Sequence, residues 1–346
     1  MGRAAESAAI QRMLGRARLV TITGLPGVGK TAAGIAAAVR ANFAEGAWLV
    51  PLDSLHDGDM LPHAIADALG IRDGPASCRL EALVDELCGR RLLLVLDTCE
   101  HLIGACAGFA TALLLTPGRD VRLLATSREP LRVPGGLTVT IRPLPLRYAV
   151  ELFGQRAAEA APGFRISQEN RETVEAICRR LDRLPLAIEL AARQMASGSL
   201  EQLRSRLRAG YWFLRNAEDA PPRQETLHTA IGWSHQLCSP AERLLWARLS
   251  VFDGSFRLQD ALDVCADTYL PRAAVATAVV MLAARSILLT GQQNNKLTWY
   301  RLPATVRAYG AGTLRRLGDS SEWERRYQAW RAGQRDRHED SGEPGC

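Results

Sequence analysis

Over the first 145 residues, short and nearly continuous apolar runs alternate with stretches whose apolar residues recur every three or four positions. The runs at 18–23 (RLVTIT), 47–52 (AWLVPL), 91–96 (RLLLVL), 121–126 (VRLLAT) and 138–142 (TVTIR) have the length of strands. Stretches such as 60–69 and 79–88 carry the helical pattern instead. Strands without polar alternation are strands buried on both faces. The pattern therefore predicts an α/β unit with a parallel sheet of about five strands covered by helices on either side.

Pro143-Leu144-Pro145 closes that unit, and the periodicity then becomes helical throughout. Leu146, Ala149, Val150, Phe153, Ala157 and Ala160 mark one helix, and Val174, Ile177, Cys178 and Leu181 another. Pro185 can open a third without losing a needed hydrogen-bond donor. The polar break NAEDAPPRQ at 216–224 marks the next boundary. Beyond it a helix is expected at about 224–237. Ser239-Pro240-Ala241-Glu242 follows, a capping box with proline at the first helical position. Helices near 257–265 and 271–285, a hairpin built from SILLT, the turn GQQNNK and LTWYRL, and a helix over 303–317 complete a winged-helix pattern. The polar end, RDRHEDSGEPGC, is expected to be disordered. The expected division is 1–145, 146–218, 219–318 and a helical or disordered tail at 319–346.

Composition narrows the function classes. A length of 346 residues suffices for two or three domains with cores of their own. The formal charge of +6 contains no block of five like charges, which weakens a case for a nucleic-acid surface. No apolar run approaches the roughly 20 residues needed to cross a bilayer, and the N-terminus lacks the apolar centre of a secretory signal. The 8 cysteines never form C-x-x-C and have no histidine pair at zinc spacing. These features point to a reducing cytoplasm, no membrane and no disulfide framework.

Candidate chemistry begins at Gly24-Leu-Pro-Gly27-Val28-Gly29-Lys30-Thr31, which fits the phosphate-binding loop pattern at every fixed position between a strand and a helix. Glycines let the backbone turn through positive φ and approach a ligand closely. Successive N–H groups and the helix N-terminus then face the phosphates. Lys30 offers a mobile charge to the β and γ phosphates, and the Thr31 hydroxyl can reach Mg2+. Of 43 basic residues only Lys30 and Lys296 are lysine, so the lysine in the loop is not background usage.

Asp97 ends the strand at 91–96 on the carboxyl edge, where ligands of open α/β sheets sit. Opposite Thr31 it is placed to hold magnesium, directly or through water. Arg128 follows the strand at 121–126. Its guanidinium either reads the γ phosphate in fork geometry or is a solvated turn arginine.

In order and spacing, these segments resemble the STAND class of P-loop ATPases. These are relatives of the NB-ARC modules in plant resistance and apoptosis proteins. The likeness is strongest to the ATPase core of large bacterial LuxR-type and SARP-type transcriptional regulators. It rests on GRAAE at 2–6, TITGLPGVGKT, LLLVLDTCEHL at 92–102, LLATSREPL at 123–131, LPLAIEL at 184–190, CSPAERLLWARLSVFDGSF at 238–256 and RLPATVRAY at 301–309. The resemblance implies a P-loop nucleotide domain, a helical domain and a winged-helix domain folded over one ATP or ADP. It makes Arg128 the γ-phosphate sensor, sets Pro185 near the nucleotide, and matches Gly2 and Arg3 to an adenine-pocket motif. ADP would hold the closed form, and ATP would favour opening and self-association.

Two departures qualify that picture. The position after the metal-binding acid is acidic in many active ATPases and Asn in this bacterial branch, but Thr98 here. Threonine is no general base at neutral pH, so water activation falls to Glu100 or to nothing, and slow hydrolysis is expected. The stretch Leu302-Pro303-Ala304-Thr305 has neither the histidine nor the glutamate with which relatives touch ADP, so a weakened latch is expected. The third winged-helix helix, PRAAVATAVVMLAARS, has arginine only near its ends, which argues against direct DNA binding by this chain. The leading reading is a nucleotide-dependent regulatory switch. The others are a turnover ATPase and a truncated nucleotide-binding scaffold. Since the chain stops just past the winged helix, output is expected through self-association or a separate sensor or effector protein.

Overall fold

The computed structural model describes residues 2–71, 79–116, 120–211, 213–214, 227–293 and 297–340. The polar break at 216–224, the boundary at 218/219, residues 294–296 of the hairpin turn, Cys78, and Cys346 with the last six residues lie outside the described residues. The chain divides into two compact units, Met1–Leu152 with Leu184–Leu186, and Phe153–Arg183 with Ala187–Cys346.

The first unit runs α1 (Ala4–Leu14), β1 (Leu19–Thr23), α2 (Lys30–Val39), β2 (Ala47–Pro51), α3 (Leu61–Ala68), α4 (Leu80–Glu86), β3 (Leu93–Asp97), α5 (Ile103–Leu115), β4 (Arg122–Thr126) and β5 (Leu137–Thr140). The five strands form one parallel sheet in the order β2-β3-β4-β1-β5. The three inner strands are buried almost throughout. The edge strands depart from the two-faced burial that the apolar runs suggest: Trp48 and Leu49 of β2 and most of β5 are exposed. An edge strand has one neighbour and a shorter covering of helix, so apolar composition alone does not bury it. Phe109, Leu83, Ile65, Leu94 and Leu123 centre the core between the sheet and α3, α4 and α5.

Register does the positioning. Pro51 pairs with Asp97, and Ile22 with Thr126. The ends of β1, β3 and β4 are thereby level at one edge of the sheet, beneath the loop that leads from Thr23 into α2.

The helix α6 (Leu146–Ala160) carries the chain from the first unit to the second. The second unit continues with α7 (Gln168–Arg180), α8 (Pro185–Arg193), α9 (Leu200–Ala209), α10 (Leu227–Gln236), α11 (Pro240–Leu249), α12 (Leu258–Cys265), α13 (Arg272–Ala284), β6 (Leu289–Gln293), β7 (Leu297–Arg301), α14 (Ala304–Leu317) and α15 (Ser320–Asp340). Pro185 and Leu186, the first two residues of α8, belong to the first unit. The capping box at α11 forms: Glu242 Oε2 accepts from the Ser239 N–H at 2.9 Å, and Ser239 Oγ accepts from the Glu242 N–H at 3.3 Å. Trp246 is fully buried and donates its indole N–H to Val306 O at 3.0 Å, tying α11 to α14. The hairpin β6–β7 is antiparallel, and strand structure begins at Leu289 rather than Ser286. The tail differs from expectation, because α15 continues to Asp340. Its start is anchored: Trp323 is buried against Ala247 and Leu314, and the Tyr327 hydroxyl donates to Asp253 Oδ1 at 2.6 Å. A helix pinned this way extends further than polar composition suggests.

Candidate functional site

The loop after β1 takes the conformation its glycines allow. Gly27 and Gly29 have φ of 69° and 90°, in the left-handed region where a side chain is strained. A Cβ on Gly27 would approach Leu186 to 2.9 Å, because the Leu186 N–H donates to Gly27 O at 3.2 Å. Pro185 and Leu186 thus lie directly on the loop. A Cβ on Gly29 would meet only Pro185 Cγ, at 3.8 Å, so the bare face of Gly29 borders open space.

Arg3 also reaches the loop. Its guanidinium donates to Val28 O at 2.5 Å, to Arg142 O at 2.7 Å and to Glu6 Oε1 at 2.9 Å. Val28 itself is buried. The family resemblance matches Arg3 to an adenine-pocket motif, and the bonds seen here fasten the N-terminal segment to the phosphate loop.

Lys30 folds back on the loop, donating to Gly24 O at 3.0 Å and Leu25 O at 3.2 Å. Burial pushes its pKa down to about 8; Arg128 adds to the fall, while Glu100 and Asp97 resist it. Such an ammonium gains most from an anion brought next to it.

Thr31 Oγ1 donates to Asp97 Oδ1 at 2.7 Å. Thr126 Oγ1 donates to the same oxygen at 2.5 Å and accepts from the Thr98 N–H at 2.9 Å. Thr98 holds φ at 68°, a strained value for a β-branched residue. Because Thr31 gives its proton to Asp97, its oxygen lone pairs remain for a cation. With the Asp97 carboxylate they make the hard oxygen donor set that magnesium takes. Sequence reading missed Thr126; the available signal was its place at the end of a strand bordering β3.

Glu100 and Arg128 come together: Arg128 Nε donates to Glu100 Oε1 at 2.7 Å, with the side chains 10% and 6% exposed. Burial by itself would raise the Glu100 pKa, but Arg128, Lys30 and the hydrogen bond outweigh it and hold the carboxyl below its ordinary value. Glu100 Oε2 is buried with no hydrogen-bond partner among the described residues. Lys30, Asp97, Glu100 and Arg128 therefore share one electrostatic neighbourhood at the sheet edge.

Over 333 residues, 95% of this chain and 84% of the relative, the sequence is 35% identical to the "Uncharacterized protein Rv0894" of Mycobacterium tuberculosis. The chain belongs to the Rv0894 family. It is also 36% identical over 315 residues to the "Putative HTH-type transcriptional regulator Rv0890c" of the same organism, covering 90% of this chain. The chain spans 35% of that regulator's length. A family model described as a winged helix-turn-helix domain matches residues 238–315, so the P-loop type sheet is followed by a winged helix. Solved structures similar to it include a STAND protein with a tetratricopeptide repeat sensor from Pyrococcus horikoshii, 14% identical with a TM-score of 0.38, covering 90% of this chain and 42% of that one. Cdc6p from Pyrobaculum aerophilum is 14% identical with a TM-score of 0.38, covering 91% and 94%.

Proposed function

We propose that this member of the Rv0894 family is the ATP/ADP-binding switch module of a transcriptional-regulator-type signalling ATPase of the STAND kind, with slow hydrolysis. The observation that carries the reading is the buried Arg128–Glu100 pair beside the Thr31–Asp97 bond. In this reading it couples the arginine that would sense a phosphate to the acid that would activate water.

The loop N–H groups and Lys30 would hold the phosphates, while Thr31 and Asp97 would hold Mg2+. Bound nucleotide and magnesium supply the transferable γ-phosphoryl group and neutralise its charge. In the diphosphate state Arg128 stays on Glu100, which is ionised but engaged, so water activation is suppressed. In the triphosphate state Arg128 trades Glu100 for phosphate oxygens. Glu100, released from Arg128, would then accept a proton from water, weakly, because a carboxylate even near its ordinary pKa is a poor base toward water at neutral pH. Thr98 offers no better one. Arg128 is thus sensor and brake together. Opening of the domains or self-association carries the output, alone or with a separate sensor or effector protein. The winged helix stays outside direct DNA contact in this reading. Arg272 and Arg285, the cations at the ends of α13, are bonded to Asp263 and Glu242.

Denaturing the purified chain and identifying released nucleotide by chromatography tests the reading. Near-stoichiometric ADP, replaced slowly by added nucleotide and lost in Lys30→Ala, is the expected result. Rapid multiple turnover of ATP, or a chain that binds no nucleotide, overturns it.

A further inference from the structure

The second unit contains a cavity of about 630 Å³ lined by five arginines from three helices. Arg180 ends α7, Arg208 lies in the last turn of α9, and Arg307, Arg315 and Arg316 belong to α14. Among the described residues none of the five forms an ion pair. Asp182, the acid that acts on the nearby Tyr211, directs Oδ2 at the Thr305 N–H and hydroxyl, at 3.0 and 3.1 Å.

Converging like charges repel, and a fold tolerates such a cluster where an anion relieves it. Arg180 is held ready by bonds from Nε to Leu207 O at 2.8 Å and from Nη2 to Arg208 O at 3.3 Å. Arg316 donates to Thr313 Oγ1 at 3.1 Å with its remaining donors uncommitted. Arg208 and Arg315 donate no side-chain hydrogen bond among the described residues. The crowding is felt locally: His228, on the cavity wall, has its pKa lowered by burial and then by Arg316. The volume lies in the range of small-molecule sites, too small for a folded partner. Guanidinium forks match phosphate oxygens in pairs.

We propose that this cavity is a second anion site, separate from the phosphate loop, which takes a small ligand carrying two or more phosphates. Nucleoside diphosphates and phosphorylated sugars share that chemistry. The cavity and all five arginines belong to the second unit. The proposal therefore stands whether or not the loop in the first unit binds nucleotide.

The test is calorimetric titration of inorganic pyrophosphate into the full chain carrying Lys30→Ala, which silences the loop. One saturable site is expected. Arg208→Gln and Arg315→Gln, both exposed substitutions, should each weaken it about tenfold. Arg272→Gln, a surface cation outside the cavity, should leave it unchanged, and melting curves verify that all variants fold. Further titrations with ADP and with a sugar bisphosphate assign the source, since the tighter of the two names it. No saturable binding at millimolar pyrophosphate, or equal affinity in the Arg208, Arg315 and Arg272 variants, overturns the proposal.

Discussion

Lys30 illustrates how one side chain reports its own role. Its folded pKa of about 8 lies below the ordinary 10.5, so between those values the unfolded chain binds more protons than the folded one. Stability of the nucleotide-free chain therefore rises with pH across that window. Chemical denaturation at pH 8 and pH 10 should show this gain in the native sequence and lose it in Lys30→Met, where the difference between the two isolates the ammonium from other titrating groups. The same lysine was legible in the sequence because its neighbours in the loop fix its place. Glu100 was legible only as a fallback for Thr98, and its partnership with Arg128 was not. The pair joins residues 28 positions apart through the spacing of β3 and β4, which no local pattern contains. Glu100 contributes stability fully above its unfolded pKa of 4.5 and loses it as pH falls through the lower folded value. Arg128→Gln removes the strongest of the lowering influences, so NMR titration should find the Glu100 pKa raised.

Elements were legible where their patterns are local, and less so where packing decides. The capping box of α11 could be read from four residues and forms as written. The edge strands β2 and β5 could not be separated from the inner ones, because burial depends on strand order, and strand order is a property of the whole sheet. The length of α15 was hidden for a related reason: its stability comes from Trp323 seated on α11 and α14 and from Tyr327 seated on Phe252 and Asp253 beyond the end of α11. Trp323 stacks with Arg248 at 4.0 Å and Arg326 at 4.6 Å. Trp323→Ala should therefore cost about 3 kcal/mol by denaturant unfolding, and an exposed substitution on the same helix such as Glu324→Ala almost nothing. For α13 the arginines at its ends are tied to acids, and its buried residues are the apolar Val275, Ala278, Val279 and Leu282. Fluorescence anisotropy with duplex DNA at physiological salt should accordingly give no specific binding. Sequence-selective binding abolished by Arg272→Gln would reverse that part of the reading.

At the scale of the molecule, a switch needs two states that the nucleotide tells apart, and a readout large enough to act on something else. The phosphate loop cannot itself provide the distinction, since it grips the phosphates of either nucleotide. In the proposed switch Arg128 can, because its partner would change with the γ phosphate, and a ligand shifts an equilibrium only by its differential affinity for the two states. Self-association is the readout proposed above, and it is the one that sedimentation tests directly. Glu100→Gln separates the two steps. It removes the base, so triphosphate persists, and it removes the charge that holds Arg128 back. With ATP and magnesium this variant should sediment as a larger species than with ADP, while the native chain should form that species transiently and revert as ATP is consumed. Adding Arg128→Gln should restore the smaller species even with ATP, because nothing then distinguishes the nucleotides. Equal mass in every case would remove self-association from the mechanism and leave a separate effector protein as the receiver of the signal.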